Sequence, residues 1–182
     1  MILFFGPPGS GKSVQGQLLV KRNGWQWLST GELFRESKNP EVLERLATGE
    51  LIDDNLTNSV VDEALDAIHS SIKIVLDGYP RNLAQVEHLV DYLSERGREV
   101  SCVVLFDVPR EELIARLSGR GRAEDSPEVI SRRLDIYEKK TKPVIEYYKE
   151  HHVPVVVVDG MGAVNDVHER IHKAVMECQK TA

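Results

Sequence analysis

The chain has 182 residues, 41% of them hydrophobic, and a formal net charge of −6. This length predicts one domain with an ample core, and the acidic balance argues against a general nucleic-acid binder, which is normally basic. No segment approaches the roughly 20 apolar residues of a membrane span, and the first apolar run ends at Gly6, too early for a secretion signal. Cys102 and Cys178 show neither metal-site spacing nor a disulfide framework, so we expect a reduced, cytoplasmic chain without structural zinc.

The first element in chain order is an apolar strand, residues 1–5, that leads into a glycine-rich loop. The loop matches the pattern G-x-x-x-x-G-K-[ST], and a helix is predicted after it at residues 14–22. Glycines let successive backbone N–H groups point into one concavity, a lysine adds a positive charge, and a hydroxyl can reach Mg²⁺. A plain Gly/Pro turn is the alternative, but the strand, loop and helix context favours a nucleoside triphosphate site. Its predicted residues are Gly6, Pro7, Pro8, Gly9, Ser10, Gly11, Lys12, Ser13 and Val14.

Short β-branched runs alternate with helical patterns along the rest of the chain. This alternation predicts right-handed crossovers, and hence an α/β fold of the P-loop NTPase type: a five-stranded parallel sheet flanked by helices. Ligands of such sheets bind at the carboxyl ends of the strands. Further strands are predicted at residues 26–28, 72–77, 100–107 and 154–159, and further helices at residues 55–69, 83–97, 110–117, 127–151 and 164–179.

Two stretches interrupt the alternation at the predicted binding edge. Residues 29–56 contain helical pieces of their own, and residues 118–128 are short, polar and rich in arginine and glycine. We therefore predict a single domain, residues 1–182, in which a small helical insertion (29–56) and a short lid (118–128) extend from a core. The core is predicted to comprise residues 1–28, 57–117 and 129–182.

Asp77 ends the third predicted strand, where phosphate-loop enzymes keep an acidic residue that orders Mg²⁺ and its waters. With the Ser13 hydroxyl it forms the predicted magnesium site, with contact through water. The alternative role of Asp77 is to cap the following turn. The six histidines fall within or at the ends of helical patterns, so we interpret them as surface or packing residues.

Four separated motifs together resemble the adenylate kinases within the nucleoside monophosphate kinase family. They are the phosphate loop, the segment TGELFR at residues 30–35, the segment DGYPR at residues 77–81 with Gln85, and the arginines Arg116, Arg120, Arg122 and Arg133. The motifs follow the family's order and spacing over nearly the whole chain, and the short arginine segment is similar to the family's short-lid, zinc-free form. The resemblance implies Mg²⁺-dependent, reversible transfer of the γ-phosphoryl group of ATP to AMP, giving two ADP. It also implies a monomer, and the composition described above predicts a partner that is neither nucleic acid nor a membrane.

The resemblance further implies which residues bind each substrate. Arginine suits this chemistry because its planar fork binds phosphate oxygens bidentately and stays charged. Arg116 would lie against the ATP base, and Arg132 stays open as an alternative to Arg133. The phosphates would be held by Lys12, Arg35, Arg81, Arg120, Arg122 and Arg133. The insertion would bind the monophosphate, and the implied AMP site comprises Thr30, Gly31, Arg35, Leu51, Ile52, Gly78, Arg81, Gln85, Arg122 and Arg133.

Base selectivity rests on Thr30 and Gln85, the AMP-side positions of the family, where pyrimidine-specific relatives typically have Ala and Asn. Gln85 therefore favours AMP over UMP or CMP. Its alternative role is to cover the exposed start of a helix. Two other functions stay open: a kinase for another small acceptor, such as UMP or CMP, and a nucleotide-binding regulator with weak chemistry. The only support for the regulator is Ser13-Val14, which replaces the family's usual Gly-Thr after Lys12.

Overall fold

The computed structural model describes residues 1–122 and 124–181. Residue 123, in the predicted lid, and residue 182, at the end of the predicted core, lie outside the described residues. The five predicted strands are present and form one parallel sheet in the order β2-β3-β1-β4-β5. The predicted fold class is thus confirmed. The strands are β1 (Ile2–Phe5), β2 (Gln26–Ser29), β3 (Ile74–Asp77), β4 (Cys102–Asp107) and β5 (Val155–Asp159).

Nine α-helices connect the strands within the described residues or follow the last of them. None of these helices is both long enough and apolar enough to cross a membrane. They are α1 (Lys12–Asn23), α2 (Thr30–Arg35), α3 (Pro40–Thr48), α4 (Asp54–Asp66), α5 (Leu83–Ser94), α6 (Arg110–Ser118), α7 (Pro127–Ile136), α8 (Lys142–Glu150) and α9 (Val164–Thr181).

Strand β1 occupies the centre of the sheet and is buried along its whole length. Ile2 lies opposite Val75 of β3 and Cys102 of β4, so both edges of β1 are paired. Alternate side chains of a strand point to opposite faces. Leu3 accordingly packs in the core beneath α4, α5 and α8, whereas Phe4 packs in the core beneath α1 and α9. Burial on both faces therefore explains why the strand sequence is continuously apolar. Because β1 is central, the loop that follows it emerges at the centre of the carboxyl edge of the sheet.

The helix predicted at residues 127–151 is interrupted by a π-helical turn, Tyr137–Thr141, between α7 and α8. Pro143 accounts for the break because it has no N–H with which to continue the regular hydrogen-bond ladder. The N–H of Lys142 instead donates to the carbonyl of Tyr137, five residues back. Periodicity alone did not predict this turn, which changes the direction in which residues 137–141 point.

Cys102 and Cys178 form a disulfide bond, which corrects the expectation of two reduced thiols. Cys102 begins β4 and Cys178 lies near the end of α9; they are 76 positions apart in sequence, and their Cα atoms are 6.0 Å apart. Both are buried in the core between the sheet and α9. Chain spacing did not reveal the pair because the apolar face of α9, packing back across the sheet, brings the two residues together.

Candidate functional site

A cleft of about 300 Å³ opens at the carboxyl edge of the sheet, beside the loops that follow β1 and β3. Parallel sheets bind ligands at this edge. Most of the predicted site residues line the cleft: Gly6, Pro8, Gly9, Gly11, Lys12, Ser13, Val14, Gly31, Arg35, Leu51, Asp77, Gly78, Arg81, Arg116, Arg120, Arg122 and Arg133. The remaining predicted residues, which are not part of its lining, are Pro7, Ser10, Thr30, Ile52 and Gln85.

The phosphate loop joins β1 to α1, and two of its glycines have positive φ angles, which other residues rarely adopt. Gly9 has a φ of +86°, and a Cβ at this position would lie 2.9 Å from the Leu117 side chain. Gly11 has a φ of +94° and precedes α1 without a side-chain cap on the first N–H groups of the helix. Uncapped N–H groups at a helix N-terminus favour an anion. The loop could therefore receive an anion such as a phosphate group.

Lys12 is half-buried against this loop. Its Nζ donates to the carbonyls of Gly6, at 2.7 Å, and Pro7, at 3.0 Å. Burial lowers the Lys12 pKa to about 8; the Asp77 carboxylate opposes this shift, while the Arg81 guanidinium adds to it. An anionic ligand next to Nζ would favour the charged form and raise the pKa again. Proton binding and phosphate binding at Lys12 are therefore linked.

We expect MgATP binding at pH 8 to be accompanied by the uptake of about half a proton, because roughly half of the Lys12 amines are neutral at that pH until the phosphates arrive. The uptake attributable to Lys12 should fall towards zero at pH 6. It can be measured by calorimetry in buffers of different ionisation enthalpy, with Lys12→Met to subtract protons that ATP itself exchanges. Equal uptake by the native protein and Lys12→Met would contradict the linkage.

Asp77 presents a carboxylate to the cleft from the end of β3. Its Oδ2 accepts from Ser29 Oγ at 3.2 Å, whereas its buried Oδ1 has no hydrogen-bond partner within the protein. Ser13 lines the same cleft. No three His, Cys, Asp or Glu side chains among the described residues cluster as a metal cage. One carboxylate and one hydroxyl fit Mg²⁺, which keeps several waters and binds mainly through substrate phosphates.

The turn after β3 holds Arg81 in the wall of the cleft. Its Nε donates to the Gly78 carbonyl at 2.7 Å, and its backbone N–H donates to Gln85 Oε1 at 2.7 Å. Gly78 has a φ of +79°, and a Cβ there would lie 2.5 Å from Thr30 Oγ1. Burial lowers the pKa of Arg81, and Asp77 opposes that shift. A guanidinium that is partly removed from water is stabilised by an anionic partner, which a substrate phosphate could supply.

Both predicted base-reading side chains are buried and hydrogen-bonded within the protein. Thr30 Oγ1 donates to the Gly78 carbonyl at 2.9 Å. Gln85 Oε1 accepts from the backbone of Arg81, and its Nε2 donates to Asp54 Oδ1 at 2.6 Å. The amide keeps a second N–H and a second acceptor lone pair, but Gln85 is buried and does not line the cleft, so a base would reach it only after a local rearrangement. Sequence reasoning missed Asp54, because an acidic residue in the first turn of a helix is explained by the helix dipole alone.

Two carboxylates lie among the arginines of the predicted lid. Asp125 accepts from Arg120 Nε at 2.9 Å and lies 3.6 Å from Arg133 Nη1. Burial acts to raise the pKa of Asp125, but the hydrogen bonds from Arg120 and from the Arg122 backbone, together with the charges of Arg120 and Arg133, outweigh it and lower the pKa. Glu124 is buried, and its Oε1 lies 3.5 Å from Nη1 of Arg35. These two carboxylates partly neutralise the positive charge of the neighbouring arginines.

Two arginines next to each other on α7 have different environments. The side chain of Arg133 is 20% exposed and lines the cleft, whereas that of Arg132 is 50% exposed and lies 3.6 Å from Glu50. Burial lowers the Arg133 pKa to about 10, with further lowering by Arg120 and Arg81. The structure thus places Arg133, and not Arg132, among the cleft cations.

Arg116 extends from α6 along the other end of the cleft. Its Nε donates to Glu112 Oε1 at 2.7 Å, and its Nη2 donates to the Gly160 carbonyl at 3.1 Å. Two partners hold the guanidinium plane in one orientation. A flat, fixed guanidinium can stack against an aromatic base.

Known proteins resemble this chain over most of its length. The family model described as Adenylate kinase matches residues 4–153. The adenylate kinases of Mycobacterium ulcerans (strain Agy99) and Mycobacterium tuberculosis (strain H37Rv) are each 37% identical to it over 179 residues, which are 95% of this chain and 97% of the relative. The phosphate loop, the Arg81 turn and the cleft arginines described above all lie within the matched range, and the chain belongs to the adenylate kinase family of nucleoside monophosphate kinases.

Proposed function

We propose that the chain catalyses reversible transfer of the γ-phosphoryl group from ATP to AMP, giving two ADP, and so adjusts the balance of the adenine nucleotides. The observation that carries the proposal is the number of cationic side chains that line one cleft. Phosphoryl transfer between two nucleotides brings several negative charges together, and positioned cations offset their repulsion. These cations are Lys12, Arg35, Arg81, Arg116, Arg120, Arg122 and Arg133.

The mechanism needs no general base, because the attacking phosphate oxygen of AMP is already an anion at neutral pH. Catalysis comes from positioning and from charge neutralisation. Lys12 and the N–H groups of the phosphate loop would hold the donor phosphates, while Arg35 and Arg81 would orient the acceptor phosphate. Ser13 and Asp77 would hold Mg²⁺, which neutralises charge on the donor phosphates when it is bound with ATP.

Water must be kept from the transferring phosphoryl group, since hydrolysis would waste ATP. We propose that the insertion (residues 29–56) and the short lid (residues 118–128) close over the substrates as parts of one kinase domain. The ion pair between Arg35, on the insertion, and Glu124, on the lid, supports this proposal, because both residues line the same cleft. The phosphate of AMP would compete with Glu124 for Arg35.

A second acceptor class is favoured by one observation. Because Gln85 is 2% exposed and does not line the cleft, its amide does not by itself select adenine. Another nucleoside monophosphate, such as UMP or CMP, is therefore the alternative acceptor.

The experiment is phosphoryl transfer from MgATP to AMP, GMP, UMP and CMP, with the products separated by chromatography. We expect AMP to be the preferred acceptor, because the adenylate kinases of two mycobacteria are 37% identical to this chain over nearly its whole length. Preference for a pyrimidine would show that Thr30 and Gln85 were misinterpreted. Binding of ATP without transfer to any acceptor would favour the regulator.

A further inference from the structure

The main chain of Arg81 is held by a hydroxyl group from a distant helical segment. Thr141 Oγ1 donates to the Arg81 carbonyl oxygen at 3.1 Å, across 60 residues of sequence. Thr141 is buried and is the last residue of the π-helical turn. Nothing in the proposed mechanism so far requires a hydroxyl at this place.

Thr141 is a polar exception on an apolar helix face. Residues three and four positions further along a helix share a face, and here these are Val144 and Ile145, both in the core beneath α5 and α8. An aliphatic side chain would fill this position equally well, whereas a buried hydroxyl requires a partner. The partner that it has is Arg81, and π-helical turns occur often at functional sites. The placement of Thr141 is thus explained by the Arg81 turn more than by packing.

The Arg81 backbone is hydrogen-bonded on both sides. Its N–H donates to Gln85, which Asp54 holds in turn, and its carbonyl accepts from Thr141. The side chain adds a bond from Nε to the Gly78 carbonyl. Loss of one backbone contact would let the turn rotate, and a small misplacement of a substrate-positioning group costs a large part of the rate.

We propose that Thr141 is a positioning residue for Arg81: its hydroxyl fixes the Arg81 main chain, and thereby directs the guanidinium at the acceptor phosphate. This inference rests on the proposed function, in which Arg81 binds the phosphate of AMP. Thr141 also lines the cleft, but its hydroxyl donates to the Arg81 carbonyl. It acts only through the residue whose carbonyl it holds.

The test compares Thr141→Val, which has nearly the same volume but no hydroxyl, with Thr141→Ser, which keeps the hydroxyl. For Thr141→Val we expect kcat to fall about 10-fold and the KM for AMP to rise about 3-fold, with the KM for ATP changed less than about 2-fold. Thr141→Ser should stay within about 2-fold of the native protein in all three. Thr141→Ala replaces Thr141→Val in the comparison if the latter does not fold.

A double-mutant cycle with Arg81→Ala then separates positioning from general structure. In that background Thr141→Val should change the rate by less than about 2-fold, because there is no guanidinium left to position. Thr57→Val is the matched stability control, since Thr57 is also buried and its Oγ1 donates to the Asp53 carbonyl at 2.8 Å. Thermal unfolding should show similar decreases in Tm for Thr57→Val and Thr141→Val, whereas only Thr141→Val should change kcat and the KM for AMP.

Three outcomes would overturn the inference: an equal effect of Thr141→Val with and without Arg81, native kinetics in Thr141→Val, or an equal kinetic loss in Thr141→Ser. Native activity of Arg81→Ala would be a different result, because it would contradict the proposed function of the site itself.

Discussion

Replacement of Arg81 by alanine is expected to lower kcat/KM for AMP by about 10³-fold or more, because it removes a preorganised charge-assisted contact to the acceptor phosphate. The guanidinium is half-buried and its Nε is held by the Gly78 carbonyl, so a mobile surface residue is a poor substitute for it. Binding of MgATP alone should change little. Steady-state assays with varied AMP, together with calorimetric titration of MgATP, measure both quantities.

Two further variants sharpen this test. Arg81→Lys keeps the charge but loses the planar fork, so it should recover only a small part of the activity. Arg22→Ala is the matched control, because Arg22 is exposed on α1 and pairs with Glu169 on α9, away from the cleft. Activity of Arg81→Ala within 10-fold of the control would show that another residue binds the acceptor phosphate.

Replacement of Lys12 by methionine is expected to lower kcat by about 10²- to 10³-fold without weakening the fold. Methionine keeps much of the length of the side chain but cannot neutralise the donor phosphates. The variant loses the hydrogen bonds from Nζ to the carbonyls of Gly6 and Pro7, which lowers stability. It also loses a desolvated positive charge, and removal of that charge offsets the loss. Activity assays and denaturant unfolding at pH 7 check the two halves of the prediction.

The lowered pKa of Lys12 predicts how the stability of the folded protein changes with pH. Its pKa in the folded protein, about 8, lies below the ordinary value of 10.5, so the folded state disfavours the charged form. This free-energy cost of folding is fully present below pH 8 and disappears as the pH rises towards 10.5. Between these two pH values, unfolded chains bind more protons at Lys12 than folded ones do. Stability of the native protein relative to Lys12→Met should therefore increase over that range.

Lys21→Met, on the exposed side of the same helix, should show neither the loss of activity nor the pH effect. A Lys12→Met protein that unfolds far more easily at neutral pH would mean that the two Nζ hydrogen bonds outweigh the cost of burying the charge.

The sequence predicted those parts of the site whose residues are close together both in the chain and in space. The phosphate loop is such a case: a buried strand, glycines at left-handed positions and Lys12 follow one another, and local backbone sterics determine their shape. The turn with Gly78 and Arg81 is another, since a strand end delivers it directly to the sheet edge. The alternation of short apolar strands with helices likewise determined the parallel sheet.

Features that depend on contacts between distant segments were decided only by the tertiary structure. The choice of Arg133 over Arg132 follows from which side of α7 faces the cleft, and the Cys102–Cys178 bond follows from the return of α9 to the sheet. The hydroxyl of Thr141 meets Arg81 only because the helical segment around the π turn packs against the β3 turn. Sequence periodicity determines which face of an element is buried, whereas the polar partner that a buried group meets depends on the packing of the whole chain.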